Sequence, residues 1–258
     1  MSDRPPPRWW RGIDLSTAPT DTPVAIGGAV DPETFLDALD HGVSVLPTEL
    51  PAVTSYNRWK FHAAVDSGSI SVLSGGSDPY SCLWWCPDPR MATAPQTVHL
   101  WSKARRAIRR NQLVTTVDAA FPEVLERCRE AHWPTWLTPD MMATYHELFA
   151  RGVSFSSEVW RGDRLLAGAI GTCRGSVVSI DTLFHQEPEM SRVAAADIAR
   201  RCQDSGYHYL DFQVDSPFAS SLRVGSMRRA EFLTLVGGTR PPSLPKQPLA
   251  AERLLPPD

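Results

Sequence analysis

The stretch Ser154–Phe184, SFSSEVWRGDRLLAGAIGTCRGSVVSIDTLF, decides the fold. It falls into three runs rich in β-branched and apolar residues: Ser154 to Trp160, Leu165 to Cys173, and Ser176 to Phe184. Each break between them carries a turn signal, Arg161-Gly162-Asp163-Arg164 first and Arg174-Gly175 second. Glycine takes the positive φ that tight hairpins need, so the spacing predicts three antiparallel strands joined by short turns. Arg161-Gly162-Asp163 looks like an adhesion triplet, but in this setting it reads as a hairpin turn. Ser191 to Ser205 follows as a helix closed by Gly206, and Leu210 to Val214 follows as one more strand.

Working outward from that block, the last strand carries the most chemistry. Side chains alternate along a strand, so Asp211 and Gln213 are expected on one face, with Leu210, Phe212 and Val214 on the other. A half-buried strand with a wet face gives the same pattern, so the pair becomes a site only in company. Upstream, Asp31-Pro32-Glu33 reads as a helix start and Gly42 as its stop. Asp118 is expected to cap a helix through Phe121, Val124, Leu125 and Cys128, and Thr138-Pro139-Asp140 to open another that packs Met141, Tyr145 and Leu148. Leu83-Trp84-Trp85-Cys86-Pro87-Asp88-Pro89-Arg90 is held extended by its two prolines, as core or as a stacking surface for a nucleobase.

Composition narrows the function classes. A net charge of -3 over 258 residues gives no whole-chain attraction to polyanions. It conceals a local run, Lys103, Arg105, Arg106, Arg109 and Arg110, on a helix expected over Val98 to Arg110. No acid stands within that run to form i,i+4 pairs, which favours phosphate binding over an ordinary solvated face. The five cysteines, Cys82, Cys86, Cys128, Cys173 and Cys202, are odd in number and scattered, so neither a disulfide framework nor a metal site is expected. The sequence shows no apolar leader and no run of roughly 18 apolar residues, so a soluble, cytoplasmic chain is expected.

The expected organisation is a flexible tail over 1–22, a small mixed N-terminal domain over 23–94 with an insertion at 46–75, a larger domain over 95–236, and a tail over 237–258. Six prolines in that last segment argue against a regular element there. Three antiparallel strands, a helix and a further strand are the order of an acetyltransferase-like (GNAT) domain, so the expected class is α+β. A coenzyme A site is disfavoured, because the junction Phe184-His185-Gln186-Glu187-Pro188-Glu189-Met190-Ser191 has no glycine and two acids where backbone amides would cradle pyrophosphate.

Together the motifs Leu83–Arg90, Thr135-Trp136-Leu137-Thr138 with Tyr145-His146, Ser157-Glu158-Val159-Trp160, and Asp211-Phe212-Gln213-Val214 make more than half of the chain resemble the leucyl/phenylalanyl-tRNA-protein transferase family. The resemblance implies transfer of leucine, or a similar apolar amino acid, from aminoacyl-tRNA to an amine, without metal or other cofactor. It implies Asp211 and Gln213 as the central catalytic pair and Asp181 where the family has a glutamate near the acceptor. It places the basic helix on the tRNA phosphates, Trp136 and Tyr145 near the 3′ adenosine, and Ala169, Val178, Ile198, Cys202 and Leu210 around the transferred side chain. The family's Phe-Pro-Trp is missing, and Ser221-Leu222-Arg223 stands where it has Ser-Leu-Gly. Those departures favour a small arginine-like acceptor, such as a guanidino-bearing antibiotic or nucleoside intermediate. The alternatives are a protein beginning with Arg or Lys, as in an N-degron pathway, and a tRNA-binding module without chemistry.

Overall fold

The computed structural model describes residues 9–238 and 243–256. The N-terminal part builds a four-stranded sheet from β1 (Ala25–Gly27), β2 (Ser44–Pro47), β3 (Ser71–Leu73) and β4 (Cys82–Trp85), ordered β2-β4-β1-β3. Between these strands run α1 (Pro32–Asp40) and α2 (Pro51–Asp66). Asp31 caps α1 by accepting from the Thr34 amide at 2.9 Å, as the sequence predicts.

The second sheet has seven strands: β5 (Ala92–Thr93), β6 (Val114–Val117), β7 (Ser154–Arg161), β8 (Arg164–Arg174), β9 (Val177–His185), β10 (Tyr209–Asp211) and β11 (Leu249–Ala250), ordered β11-β6-β7-β8-β9-β10-β5. Its centre is the expected antiparallel meander β7-β8-β9, and β10 returns parallel to β9 after α6 (Met190–Ser205). Such a parallel return needs a crossover long enough to hold a helix, which α6 supplies. At the β8–β9 irregularity between Ile170 and Gly171, a Cβ on Gly171 would stand 2.2 Å from the Ser179 carbonyl oxygen, so only glycine lets the strands approach there. Mixed sheets with both interstrand and segregated helices agree with the α+β class.

The two sheets share a core. On one face of the large sheet lie α4 (Phe121–Ala131) and α5 (Pro139–Ala150), whose Phe121, Leu125, Met141 and Tyr145 join one buried cluster with Phe35 of α1 and Trp84 of β4. On the opposite face α6 packs through Ala195, Ile198, Ala199 and Cys202. α3 (Ser102–Asn111) lies against α6 through Ile108, α7 (Pro217–Ser221) adds Ala219 to the α6 cluster, and α8 (Arg229–Val236) packs Phe232 and Val236 with Ala92 of β5 and Val177 of β9.

Several expectations need correction. Residues 9–22 do not trail as a tail: Trp10 is fully buried and meets the Trp84 ring at 5.3 Å, because an indole of that size gains several kcal/mol by leaving water, about 25 cal/mol per Å². Residues 1–8 lie outside the described residues. The 46–75 insertion, to which the sequence assigned no regular element, contains the 16-residue α2. Only Asn57 and Phe61 of that helix are buried, so it lacks the apolar stripe from which a helix is read. The proline-rich C-terminal segment is tied down where described: β11 pairs with β6, and fully buried Arg201 donates to the carbonyl oxygens of Pro245 and Gln247. Residues 239–242 and 257–258 lie outside the described residues. β5, placed by sequence in the N-terminal domain, pairs with β10 in the large sheet. Asp118 does not cap α4; it sits at φ 60° and accepts from the Ser156 amide, bracing α4's entry against β7.

Candidate active site

Asp211 ends β10 between β9 and β5, opposite Ser179 and Ala92, in the interior of the sheet. It is fully buried, and a carboxylate there is stable only if fixed donors replace its water. Arg90 supplies two, Nε to Oδ1 at 2.9 Å and Nη2 to Oδ2 at 2.8 Å. Ser179 Oγ donates to Oδ2 at 2.6 Å, and the Gln213 amide to Oδ1 at 2.8 Å. Burial alone would lower the Arg90 pKa, but the charge of Asp211 and its hydrogen bonds outweigh that and raise it. The guanidinium is completed by the Gly42 carbonyl at 3.2 Å from Nη1 and by the Phe232 ring at 4.4 Å. Gly42 has φ 70°, a left-handed conformation that glycine takes without strain, and a Cβ on it would lie 2.8 Å from Leu233 Cδ2.

Gln213 departs from strand geometry. β10 stops at Asp211, and Gln213 takes φ 65°, a left-handed conformation fixed by the bond from its amide to Asp211 and by the Met91 amide, which donates to its carbonyl at 3.2 Å. The expectation that one strand carries both residues fails at Gln213, because strand geometry ends at Asp211 and alternation applies only while the backbone stays extended. From that turn Gln213 Nε2 donates to Asp181 Oδ1 at 3.0 Å, two residues along β9 from the Ser179 that donates to Asp211.

Asp181, on β9, is the carboxylate that faces open space. Its Oδ2 accepts from the Tyr145 hydroxyl at 3.0 Å. Burial and the nearby Asp211 charge push its pKa up to about 7, against the opposing pull of the Tyr145 and Gln213 hydrogen bonds and of Arg90. Tyr145 is fully buried on α5, and its pKa is driven up by burial and by Asp181. Its ring stands edge-on to Trp136 at 6.1 Å and to Phe35 at 5.8 Å. These groups meet in a cavity of about 340 Å³ between the two sheets, walled by Phe35, Leu46, Trp85, Trp136, Phe212 and Val214 among others.

The structure thus gathers Asp181, Gln213, Trp136 and Tyr145 around one cavity and sets Asp211 behind it. Lys103, Arg106, Arg109 and Arg110 are exposed and Arg105 half-buried on α3, none lining the cavity. Among the described residues none of the five is ion-paired to a carboxylate. The start of α3 is tied to the end of α7: Trp101 Nε1 donates to the Ser221 carbonyl at 2.5 Å, and Arg223 lies 4.7 Å from the Trp101 ring centroid.

The expected side-chain pocket is corrected. Ala169, Val178, Ile198, Cys202 and Leu210 are all fully buried in one packed cluster beneath the sheet, and none of them lines the cavity. Small residues on α6, Ala195 and Ala199, let that helix pack close to the strands and fill the space.

Arg90 and Ser179 were not assigned roles from sequence. Arg90 stood inside the quoted proline-pinned motif, and an arginine there is the one signal that a buried carboxylate lay elsewhere. Trp84 and Trp85 divide the two readings of their motif: Trp84 is core, donating to the Gly27 carbonyl at 2.7 Å, while Trp85 faces the cavity. All five cysteines are free and buried, with the Cys82 and Cys128 thiols pushed up to about 12 by desolvation, unsuited to nucleophilic work. Among the described residues no group of three or more His, Cys, Asp or Glu side chains is placed to hold a metal ion, and no helix is long and apolar enough to cross a membrane.

A family model described as leucyl/phenylalanyl-tRNA protein transferase matches residues 93–237. The chain belongs to that family. A leucyl/phenylalanyl-tRNA–protein transferase of Nitratidesulfovibrio vulgaris is 31% identical over 235 residues, covering 89% of this chain and 88% of that one. One from Thiobacillus denitrificans is 31% identical over 212 residues, covering 81% and 80%. The C-terminal domain (DUF2156) of a putative lysylphosphatidylglycerol synthetase from Agrobacterium fabrum matches with a TM-score of 0.35 at 12% identity, covering 62% of this chain and 59% of that one. As a member of the leucyl/phenylalanyl-tRNA protein transferase family, the chain is a tRNA-dependent aminoacyltransferase, with Asp181, Gln213 and Tyr145 on the cavity wall and Asp211 clamped behind them.

Proposed function

We propose that the protein moves leucine or phenylalanine from its aminoacyl-tRNA to the N-terminal amine of a protein beginning with Arg or Lys, and that the seven-stranded half is an acetyltransferase-like (GNAT) domain adapted to a tRNA donor. The observation that carries this reading is the polar trio Asp181, Gln213 and Tyr145 on the wall of an otherwise apolar cavity, in a chain of this family. The relatives' name specifies a protein as acceptor. Nothing in the site singles out a small arginine-like amine, so the N-terminal acceptor replaces the antibiotic or nucleoside intermediate favoured from sequence.

Attack of an amine on an ester runs downhill and needs no ATP and no covalent enzyme intermediate, so the protein's task is to hold the two reactants together. Trp136 offers a face for the terminal adenine, and Phe35, Leu39 and Phe212 offer apolar wall for a leucyl or phenylalanyl group. Gln213 spends its Nε2 on Asp181, which leaves Oε1 to accept from the incoming amine. The basic face of α3 would take acceptor-stem phosphates. Labelled leucyl-tRNA incubated with a peptide beginning in Arg should give a leucylated peptide, and the same peptide with its N-terminus acetylated should give none. Equal labelling of both peptides, or labelling of neither, would contradict the reading.

A further inference from the structure

We propose that Asp181, and not Asp211, is the side chain that takes the proton from the attacking amine, with Asp211 acting only as the anchor that positions Gln213. This rests on the aminoacyl-transfer reading above. A carboxylate has about four lone-pair sites. Asp211 uses four, two toward Arg90, one toward Ser179 and one toward the Gln213 amide, and it does not line the cavity. It has no site left for a substrate proton and no path to one.

Asp181 is the opposite case. Each of its oxygens accepts one hydrogen bond, Oδ1 from Gln213 and Oδ2 from Tyr145, so each keeps an acceptor site to spare, and the residue lines the cavity. The charged and titratable groups around it are Tyr145 on α5, Asp211 on β10, and Arg90 ahead of β5, with the Cys128 thiol of α4 acting on Tyr145. Burial and Asp211 leave the carboxylate basic enough to accept a proton near neutral pH, with a pKa of about 7.

In the proposed step the amine nitrogen bonds to the ester carbonyl carbon while an N–H proton passes to Asp181. The carbon–oxygen bond to the tRNA ribose then breaks, and Asp181 returns that proton to the departing ribose oxygen. The products are an amide and a ribose hydroxyl, and Asp181 ends as it began.

The test is single-turnover transfer from leucyl-tRNA to an Arg-initiated peptide between about pH 6 and pH 9. The wild-type rate should rise through two inflections, one near 7 from Asp181 and one near 8 from the peptide amine. Asp181→Asn should slow transfer by about 10²- to 10⁴-fold and abolish the lower inflection, with leucyl-tRNA affinity within about threefold of wild type. Tyr145→Phe removes a donor that holds the Asp181 pKa down, so the lower inflection should move to higher pH while the upper one stays. An Asp181→Asn variant that keeps the lower inflection or transfers within about fivefold of wild type overturns the assignment. If Asp181→Asn fails to bind tRNA, an unmoved lower inflection in Tyr145→Phe overturns it instead. Wild-type protein that transfers nothing to any amine overturns the functional reading, and this inference with it.

Discussion

A carboxylate with no solvent contact survives only where fixed donors replace its hydration, and Asp211 survives because Arg90, Ser179 and the Gln213 amide do so. Arg90→Met would leave that charge buried with its strongest partner gone, and should lower unfolding stability by about 3–5 kcal/mol, read from a denaturant midpoint at neutral pH. Arg90→Lys keeps a charge but not the two-pronged fit, so it should fall between the variant and wild type. Asp181 works in the other direction. Its folded pKa, about 7, lies above the ordinary carboxylate value, so the folded state holds that proton more tightly than the unfolded chain does. The stabilisation is complete below about pH 4 and is lost as the pH rises through 7. Asp181→Asn should therefore flatten the fall in stability between about pH 5 and pH 8 by a few kcal/mol, measurable by urea unfolding at the two ends. An unchanged fall would show that Asp181 is not the titrating group.

At the scale of elements, the termini behave unlike their composition. α6 carries Asp197 and Arg201 four residues apart, both fully buried, and the pair grips the C-terminal segment: Asp197 accepts from Thr115 Oγ1 at 2.6 Å and from Arg253, while Arg201 donates to the Pro245 and Gln247 carbonyls just ahead of β11. Arg201→Met should cost about 3–5 kcal/mol and expose the β6 edge, seen as faster amide exchange at Thr115. Proline richness suggested a tail because prolines cannot donate to a ladder, but they can present carbonyls, and a buried arginine requires just such acceptors. α3 illustrates the reverse case, an element whose two faces are legible in the sequence although it starts at Ser102 and not at the expected Val98. Alanines and Ile108 on one side and unpaired basic residues on the other define its buried and exposed faces without reference to anything else in the chain. Changing Arg106 and Arg110 to Glu should weaken tRNA binding and flatten its dependence on salt, since fewer counterions are released. Binding that keeps the wild-type salt slope would remove α3 from the tRNA surface.

For the whole molecule, the site exists only where the two sheets meet. Phe35, Leu46, Trp85 and Arg90 come from the N-terminal part, and Tyr145, Asp181 and Gln213 from the C-terminal part. A chain beginning at residue 93, where the family match starts, would lose the Arg90 partner of Asp211 and the Trp84 and Phe35 side of the core. Such a fragment should show no cooperative thermal transition and no transfer activity; a stable, active fragment would refute the shared-core account. The sequence by itself determined the meander, α6 and its return strand, the helix starts at Asp31 and Thr138, the basic face of α3 and the family resemblance, because each rests on periodicity, capping or a motif read within one segment. Tertiary structure alone decided that Arg90 clamps Asp211, that Gln213 leaves the strand to meet Asp181, that the five expected pocket residues are closed core, and that both ends of the chain pack. Those outcomes depend on desolvation and on donors and acceptors supplied by residues as much as 211 positions apart, a relation that local pattern does not encode.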